Sequence, residues 1–414
     1  MVAEKEPVLP FGSFLFIRIF QAFRLSIQPS KLVIAFLALT AICLTGWTLD
    51  LVQAALTRGD FSSADAARAI EFQSGSAGVF AALGDFCAGQ FHGGLYALFR
   101  LDLPAVFLSI TNCGQAGIWT FRHHPISSTI FFAIVLAVLS LAGGSICRMA
   151  ALQFARGEAP TLVQAARFSR RRLVSLFTAP ITPIGMIALV GLSIALLGLV
   201  GNIRVVGELL VGLLLPFTLI AAVFIAVVLI GTIAGVNLMF PAIAYEDADS
   251  FDAIGRSFAY VYDKLWLMGF YTIVAVVYGA ICYIFVRLFA FLLLAATYWF
   301  LEVGFGVLQN EEKLREIWPG PTFGDFWGAA GATPAAWSTQ LGAWLVHLWV
   351  LAATGLVVSF LISFYFSAST IIYALLRHRV DGTPLDEVYI HSEELAGATG
   401  VETLSGQAAA EPQA

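Results

Sequence analysis

The sequence predicts an all-α protein: a polytopic transmembrane helix bundle of about six spans, with amphipathic helices lying in the membrane plane. The first observation behind this prediction is composition. Hydrophobic residues make up 59% of the 414 residues and charged residues only 12%, whereas soluble domains are about half apolar and about a quarter charged. The second is the length of the apolar runs, several of which reach the roughly 20 residues that a helix needs to cross a bilayer core. Lipid is therefore the expected solvent.

Six apolar stretches meet this length. The first four are about Leu32–Val52, Ser127–Ile146, Leu173–Val200 and Leu209–Leu238, and the last two begin near Leu265 and Leu341. Each of the last two continues for about 36 residues, or roughly 54 Å as one helix, so it must tilt, kink or project beyond the bilayer. The run Leu288–Leu308 has two interpretations, a seventh span or an extension of the fifth, and Glu302 with nearby glycines weighs against a separate span.

The predicted domain organisation has three parts. Residues 1–31 form a cytoplasmic amphipathic segment, 32–380 the transmembrane domain, and 381–414 an acidic tail that we expect to be disordered. Within the transmembrane domain, about 53–126 is predicted to be an outer interfacial segment and about 301–340 an outer loop rich in Trp and Phe. No small-residue cleavage site follows the charged N-terminus, so we expect the first apolar run to act as an uncleaved anchor.

The placement of Lys and Arg predicts the orientation. With the N-terminus inside, fourteen of the 22 basic residues lie on the inner side and seven on the outer side, with Arg287 left in the membrane region. The cluster at 170–172, directly before a span, is the strongest single indication. The positive-inside rule therefore predicts that both termini are cytoplasmic.

Three inner segments have the pattern of amphipathic helices that lead into a span: about 16–28, 161–172 and 249–265. The third has an apolar stripe of Phe251, Ile254, Phe258, Val261 and Leu265. In-plane helices of this kind bury the apolar face at the headgroup boundary and hold their cations against anionic lipid. The candidate lipid-contacting cations are Arg24, Lys31, Arg170, Arg171, Arg172, Arg256 and Lys264. The alternative is that these are ordinary basic inner loops of a multi-span protein.

Two short stretches carry a resemblance. Pro241–Lys264 reads PAIAYEDADSFDAIGRSFAYVYDK. Ile372–Arg377 reads IYALLR and is followed by Val380-Asp381-Gly382-Thr383. They resemble inner segments of uncharacterised bacterial six-span membrane proteins and, more loosely, of the membrane domain attached to some glycerophosphodiester phosphodiesterases. In those families this part is a membrane module without a defined reaction, and their soluble phosphodiesterase domain has no counterpart here. The resemblance implies a multi-pass protein of the bacterial cytoplasmic (inner) membrane.

Signatures of catalysis and of cofactors are missing from the sequence. It contains no G-x-x-x-x-G-K-[ST], H-E-x-x-H or G-x-S-x-G motif, and the five cysteines include no C-x-x-C pair. We therefore expect no enzyme activity, no cofactor and no metal. Cys87 and Cys113 share the outer segment, which leaves a disulfide and two free thiols both open. An interfacial lipid-modifying enzyme would have to use these acids and histidines: Asp85, His92, Asp102, His123 and His124.

Ionisable residues near the membrane are better functional candidates because their burial in lipid is costly. They are Arg287, Glu302, Glu208 and His347. Arg287 lies roughly 33 Å along a straight helix from Leu265, near the outer interface, where it can extend to headgroups or pair with Glu302. Glu208 is close to Arg204 in sequence. For each residue, a functional charge and an interfacial anchor are both compatible with the pattern.

The sequence thus predicts a non-enzymatic membrane module with a scaffold, assembly or lipid-interacting role. The alternative function is a transporter, suggested by Pro180, Pro183 and Pro216 inside predicted spans, since broken helices line the sites of some transporters. The expected partners are membrane lipids and a protein that contacts the acidic tail or the aromatic outer loop. Clustered basic charge of the kind that binds nucleic acid is absent.

Overall fold

The computed structural model describes residues 15–56, 78–307, 311–326 and 336–389, and within these ranges its regular secondary structure is entirely helical. A short 3-10 helix, Leu15–Phe20, precedes twelve α-helices in the described ranges. They are α1 (Gln21–Ser26), α2 (Pro29–Leu56), α3 (Val79–Phe99), α4 (Leu103–His123), α5 (Pro125–Arg156), α6 (Leu162–Arg171), α7 (Leu173–Gly201), α8 (Val206–Glu246), α9 (Ser250–Asp263), α10 (Leu265–Val307), α11 (Glu311–Ile317) and α12 (Trp337–Asp381).

Six helices in the described part of the chain are long and apolar enough to cross a membrane: α2, α5, α7, α8, α10 and α12. The predicted all-α, six-span architecture is confirmed. The helices extend beyond the predicted apolar runs, and α10 and α12 reach 43 and 45 residues, about 65 Å each at 1.5 Å per residue. Residues 288–307 are the continuous second half of α10.

Prolines do not interrupt the spans in which they lie. Helix α7 continues through Pro180 and Pro183, and α8 continues through Pro216 and Pro241. The turn between these two helices requires Gly207, because a Cβ atom there would lie 2.3 Å from the carbonyl oxygen of Val200. A side chain at this position would separate the ends of the two helices.

The described residues form two compact units. The first comprises 15–25, 140–272 and 366–389, and the second 26–56, 78–139, 273–307, 311–326 and 336–365. Helices α5, α10 and α12 each contribute residues to both units.

In the first unit, small residues let helices pack closely. Gly235 of α8 lies under Ser257 and Val261 of α9, and a Cβ at Gly231 would lie 3.1 Å from the Phe258 ring. The apolar stripe predicted for α9 is therefore divided: Ile254 and Val261 are buried in protein, whereas Phe251 is 74% exposed. This corrects the prediction that the whole stripe lies in the headgroup layer, since α8 covers its central part.

In the second unit, buried aromatic side chains form much of the core. Tyr283, Leu294, Trp318, Phe326, Val350 and Val357 make one cluster. Trp318 and Phe326 lie in the predicted outer loop rich in Trp and Phe, which would place them in an aromatic belt at the membrane surface, but they are only 5% and 6% exposed. Trp299, Trp337 and Trp344 are exposed, as a belt requires. The rings of Trp318 and Phe326 instead pack against residues of α10 and α12 in this buried cluster.

The acidic C-terminal segment is also partly packed. In the first unit, the backbone N–H of Tyr389 donates to the carbonyl of Tyr245 at 3.0 Å, and Val388 is 5% exposed. Residues of the 382–389 segment therefore contact the folded part of the first unit, although disorder is predicted from residue 381 onward. The rest of the predicted tail lies outside the described residues, as do 1–14 and 57–77.

Candidate functional site: a polar network at the end of helix α8

The first unit contains a polar network where α8 ends. The helix stops at Glu246, and Asp247 then adopts a left-handed conformation with φ of 54°. Its N–H donates to the carbonyl of Ile243 at 3.0 Å, which is how helix C-termini commonly close. Asp tolerates this backbone conformation better than most residues. The turn places the acids Glu246, Asp247 and Asp249 where they contact side chains of neighbouring segments.

Glu246 is the centre of the network. Its carboxylate accepts from the Tyr373 hydroxyl at 2.7 Å and lies 3.1 Å from Nε of Arg377 and 2.5 Å from a terminal nitrogen of Arg256. The side chain of Glu246 is only 10% exposed, and buried carboxylates need such compensation. One acid thereby joins α8 to α9 and to the end of α12.

A second ion pair, between Arg172 and Asp247, belongs to the same network. Arg172, between α6 and α7, forms a two-pronged contact with Asp247 through Nε at 2.6 Å and a terminal nitrogen at 2.5 Å. A third bond, of 3.1 Å, reaches Asp249. The hydrogen bond from Asp247 is the main reason that the pKa of Arg172 is raised, although burial opposes the shift. Bidentate geometry of this kind fixes orientation as well as charge.

The network extends to the segment after α12. Arg377 donates to the carbonyl of Glu387 at 2.7 Å, and the Tyr260 hydroxyl donates to Asp381 at 2.5 Å. Burial, followed by the bond to Asp381, raises the pKa of the Tyr260 hydroxyl. Residues of the sequence stretches Pro241–Lys264 and Ile372–Arg377 are thus brought together in this unit.

These contacts change the assignment of the predicted lipid-contacting cations. Arg172 and Arg256 are engaged by the acids of the network, and Lys31 is fully buried. For Lys31 the predicted contact with headgroups is wrong, because protein covers the side chain. Arg24, Arg170 and Arg171 are exposed. Lys264 is 46% exposed and lies 3.4 Å from Asp263.

Arg287 belongs to a different group, in the second unit. It contacts the His92 ring and donates to the carbonyls of Phe323 at 3.1 Å and Gly324 at 3.0 Å. Its guanidinium also lies 5.4 Å and 5.6 Å from the ring centres of Phe323 and Phe326, a cation–π distance. Arg287 therefore anchors the 323–326 segment to α10 and α3.

His92 completes this group. The Tyr283 hydroxyl lies 3.2 Å from Nε2 of His92, and Nδ1 of His92 lies 2.8 Å from the carbonyl of Ala88. Burial, and then the positive charge of Arg287, lower the pKa of His92. The neutral ring can accept a hydrogen bond from Arg287, whereas the protonated ring would repel it.

Each of the other three candidate charges has surroundings of its own. Glu302 is 3.8 Å from Arg315, so the alternative in which Glu302 pairs with Arg287 is wrong. Glu208 is exposed in the first turn of α8, and no salt bridge links it to Arg204 in the described ranges. His347 is exposed in α12.

The residues that an interfacial enzyme would need are held by separate local contacts. Asp102 caps α4 by accepting from the N–H of Ala105 at 3.2 Å. His124 contacts Gln53 at 2.6 Å, and His123 contacts the carbonyl of Trp119 at 2.9 Å. Asp85 is exposed on α3. No cluster of three or more metal-ligating side chains occurs among the described residues.

Sequence reasoning did not single out Glu246, Tyr373 or Arg377 as a site. The available signal was the acid run Glu246-Asp247-Ala248-Asp249 directly after a long apolar helix, because acids at such a position need cationic partners. The local pattern does not identify those cations, one of which, Arg377, lies more than a hundred positions from Glu246 in the sequence.

Comparison with known proteins adds no family to these observations. No protein-family model, curated protein or solved structure matches this chain.

Proposed function

We propose that this integral membrane protein is a non-enzymatic module of the bacterial cytoplasmic membrane that binds anionic lipid headgroups through α6. Both termini are then cytoplasmic, and the arginines of α6 lie at the inner surface. The single observation that carries the proposal is the geometry of α6, which has one face packed on protein and a row of arginines on the other.

The packed face of α6 is fixed at both ends. Thr161 and Gln164 form reciprocal capping bonds at its start, which satisfy helix donors. Ala165 and Ser169 are fully buried, and the Ser145 hydroxyl of α5 donates to Ser169 at 2.9 Å. The helix is therefore held in one orientation about its axis.

The opposite side of α6 presents Arg167, Arg170 and Arg171, all exposed, next to Val163, which is 67% exposed. The transmembrane helix α7 begins at Leu173, two residues after α6 ends. Cations this close to a span lie at headgroup depth, where each Lys or Arg contributes about 1 kcal/mol of attraction to anionic lipid. Arg172 is held by Asp247, whereas the side chains of Arg167, Arg170 and Arg171 are exposed at the surface of α6.

The Glu246 network supports a scaffolding role for the same unit. Its charged groups face one another across α8, α9 and α12 at 2.5–3.1 Å, so they stabilise the ends of the helices. The spans that contain the prolines continue as single helices, so α7 and α8 lack the broken-helix geometry on which the transporter alternative depends.

Spin-labelled lipids test the proposal. The purified protein is reconstituted in phosphatidylcholine, and the immobilised fraction of spin-labelled phosphatidylglycerol is compared with that of spin-labelled phosphatidylcholine. We expect a several-fold preference for phosphatidylglycerol that decreases in high salt. The variant Arg167→Gln/Arg170→Gln/Arg171→Gln should lose most of this preference, whereas Arg100→Gln/Arg122→Gln, at exposed positions of the second unit, should retain it. Equal lipid selectivity in the triple variant and the wild type would refute the proposal.

A further inference from the structure

We propose that Cys87 and Cys113 are a dithiol pair that forms an intramolecular disulfide, linking α3 to α4. The inference rests on contacts within the second unit and is independent of the proposed lipid-binding function. It would make the α3–α4 hairpin a modification site whose state depends on the redox poise of its surroundings.

The antiparallel packing of α3 and α4 brings the two cysteines together. The Asn112 amide donates to the Gln90 side chain at 3.3 Å, one turn from Cys87 on α3 and adjacent to Cys113 on α4. Further along the same interface, a Cβ atom at Gly94 would lie 3.3 Å from Cβ of Ser109. Such close approach of the two backbones is what a disulfide requires, since its Cβ atoms must lie about 3.5–4.5 Å apart.

The two cysteines lie on facing sides of the α3–α4 pair, within a turn of the Gln90–Asn112 contact. Both are free thiols and both are partly exposed. A small oxidant can therefore reach the pair. Cys147 and Cys282 differ in this respect, because both are buried.

The chemistry is a thiol–disulfide exchange with a disulfide oxidant such as oxidised glutathione. One cysteine thiolate attacks a sulfur of the oxidant, which breaks the oxidant's S–S bond and releases one thiol. The thiolate of the other cysteine then attacks the resulting mixed disulfide, forming the Cys87–Cys113 bond and releasing the second thiol. Two electrons and two protons pass from the protein to the oxidant.

The environment of Cys87 affects the rate of this exchange. Burial, and then the hydrogen bond to Cys113, raise the pKa of Cys87 to about 12. Because the thiolate is the nucleophile, the exchange should be slow at neutral pH and faster as the pH rises.

Tryptic peptides provide a direct test. Cys87 is the one cysteine of the tryptic peptide 69–100, and Cys113 is the one cysteine of the peptide 101–122. The full-length protein in detergent is treated with oxidised glutathione at about pH 8, blocked with N-ethylmaleimide, digested and analysed by mass spectrometry. We expect the two peptides as one disulfide-linked species that dithiothreitol separates.

Variants decide whether the link is specific. In Cys43→Ser, which changes an exposed cysteine of α2, the linked species should form as in the wild type. In Cys113→Ala, Cys87 should instead be recovered on an unlinked peptide. A wild type in which both cysteines are recovered as maleimide adducts after oxidation overturns the proposal, as does a link from Cys87 to any cysteine other than Cys113.

Discussion

The Tyr373 hydroxyl donates to the carboxylate of Glu246 at 2.7 Å, although 127 residues separate the two in the chain. The same carboxylate binds Arg256 and Arg377, so one acid at the end of α8 connects two further helices of the first unit. A connection of this kind should matter for stability more than a surface ion pair does.

Replacing Glu246 by Gln should therefore destabilise the protein. The substitution keeps the shape of the side chain but leaves Arg377, whose side chain is 13% exposed, without its main counter-charge. Breaking a buried pair in this way costs about 3 kcal/mol. The free energy of unfolding can be measured by titration with a denaturing detergent in mixed micelles. Asp252→Asn is the matched control, because Asp252 contacts the same Arg256 but is 61% exposed, and we expect a change below about 0.5 kcal/mol. Equal effects of the two substitutions would contradict the central position of Glu246.

Two glycines of the first unit should respond oppositely to replacement by Ala. At Gly144 of α5, a Cβ atom would lie 2.5 Å from Cδ1 of Leu176 and 2.9 Å from Oγ of Ser169. Gly144→Ala should therefore cost about 1–3 kcal/mol through overpacking. At Gly255 of α9, an added Cβ atom would meet no heavy atom within 4 Å. Gly255→Ala should therefore stabilise the helix by about 0.5–1 kcal/mol. Thermal unfolding of the two purified variants in one detergent tests both signs, and destabilisation by Gly255→Ala would show that α9 packs differently.

The second unit should lose stability in mild acid because of His92. Burial and Arg287 lower the folded-state pKa of His92 below the ordinary 6.5, so the unfolded chain binds a proton that the folded chain resists. The contribution to stability is fully present above about pH 6.5 and is lost as the pH falls from there toward the folded-state pKa. His92→Gln should make the unfolding midpoint less dependent on pH between about pH 8 and pH 5.

The unfolding midpoint of the His92→Gln variant should still depend weakly on pH. Burial, and then the charge of His123, also lower the pKa of His124, while Asp50 partly opposes the shift. The control is His123→Gln, which changes an exposed ring stacked on Trp119 and should preserve the His92-dependent part of the slope. Parallel pH profiles for wild type and His92→Gln would exclude the His92–Arg287 contact as the acid-sensitive element.

Reporter fusions test the proposed orientation. A reporter that is active only in the cytoplasm should give signal when fused at either terminus, since an even number of spans returns the chain to the same side. Fused at residue 330, between α11 and α12, it should be silent. A signal at 330 would be incompatible with the proposed positive-inside arrangement, in which the 301–340 segment lies outside.

The fold class could be predicted closely because it depends on local composition. A run of about 20 apolar residues with few charges must be helical in lipid, since every backbone donor and acceptor has to be satisfied within the segment. Helix ends were less predictable: α8 runs eight residues past the predicted Leu238, because protein contacts rather than apolarity stabilise its last two turns. The candidate site was accessible only in part, as an acid run without identified partners.

The sequence by itself determined that this chain spans a membrane with six helices, because apolar length and charge content decide which segments can enter lipid. The tertiary structure decided how the charges are used. It buries Lys31, binds Arg172 to Asp247, directs Arg287 to His92 instead of Glu302, and makes Glu246 the meeting point of three helices. Charges interact over a few ångströms, and distances of that size between residues far apart in the chain are set only when the helices pack.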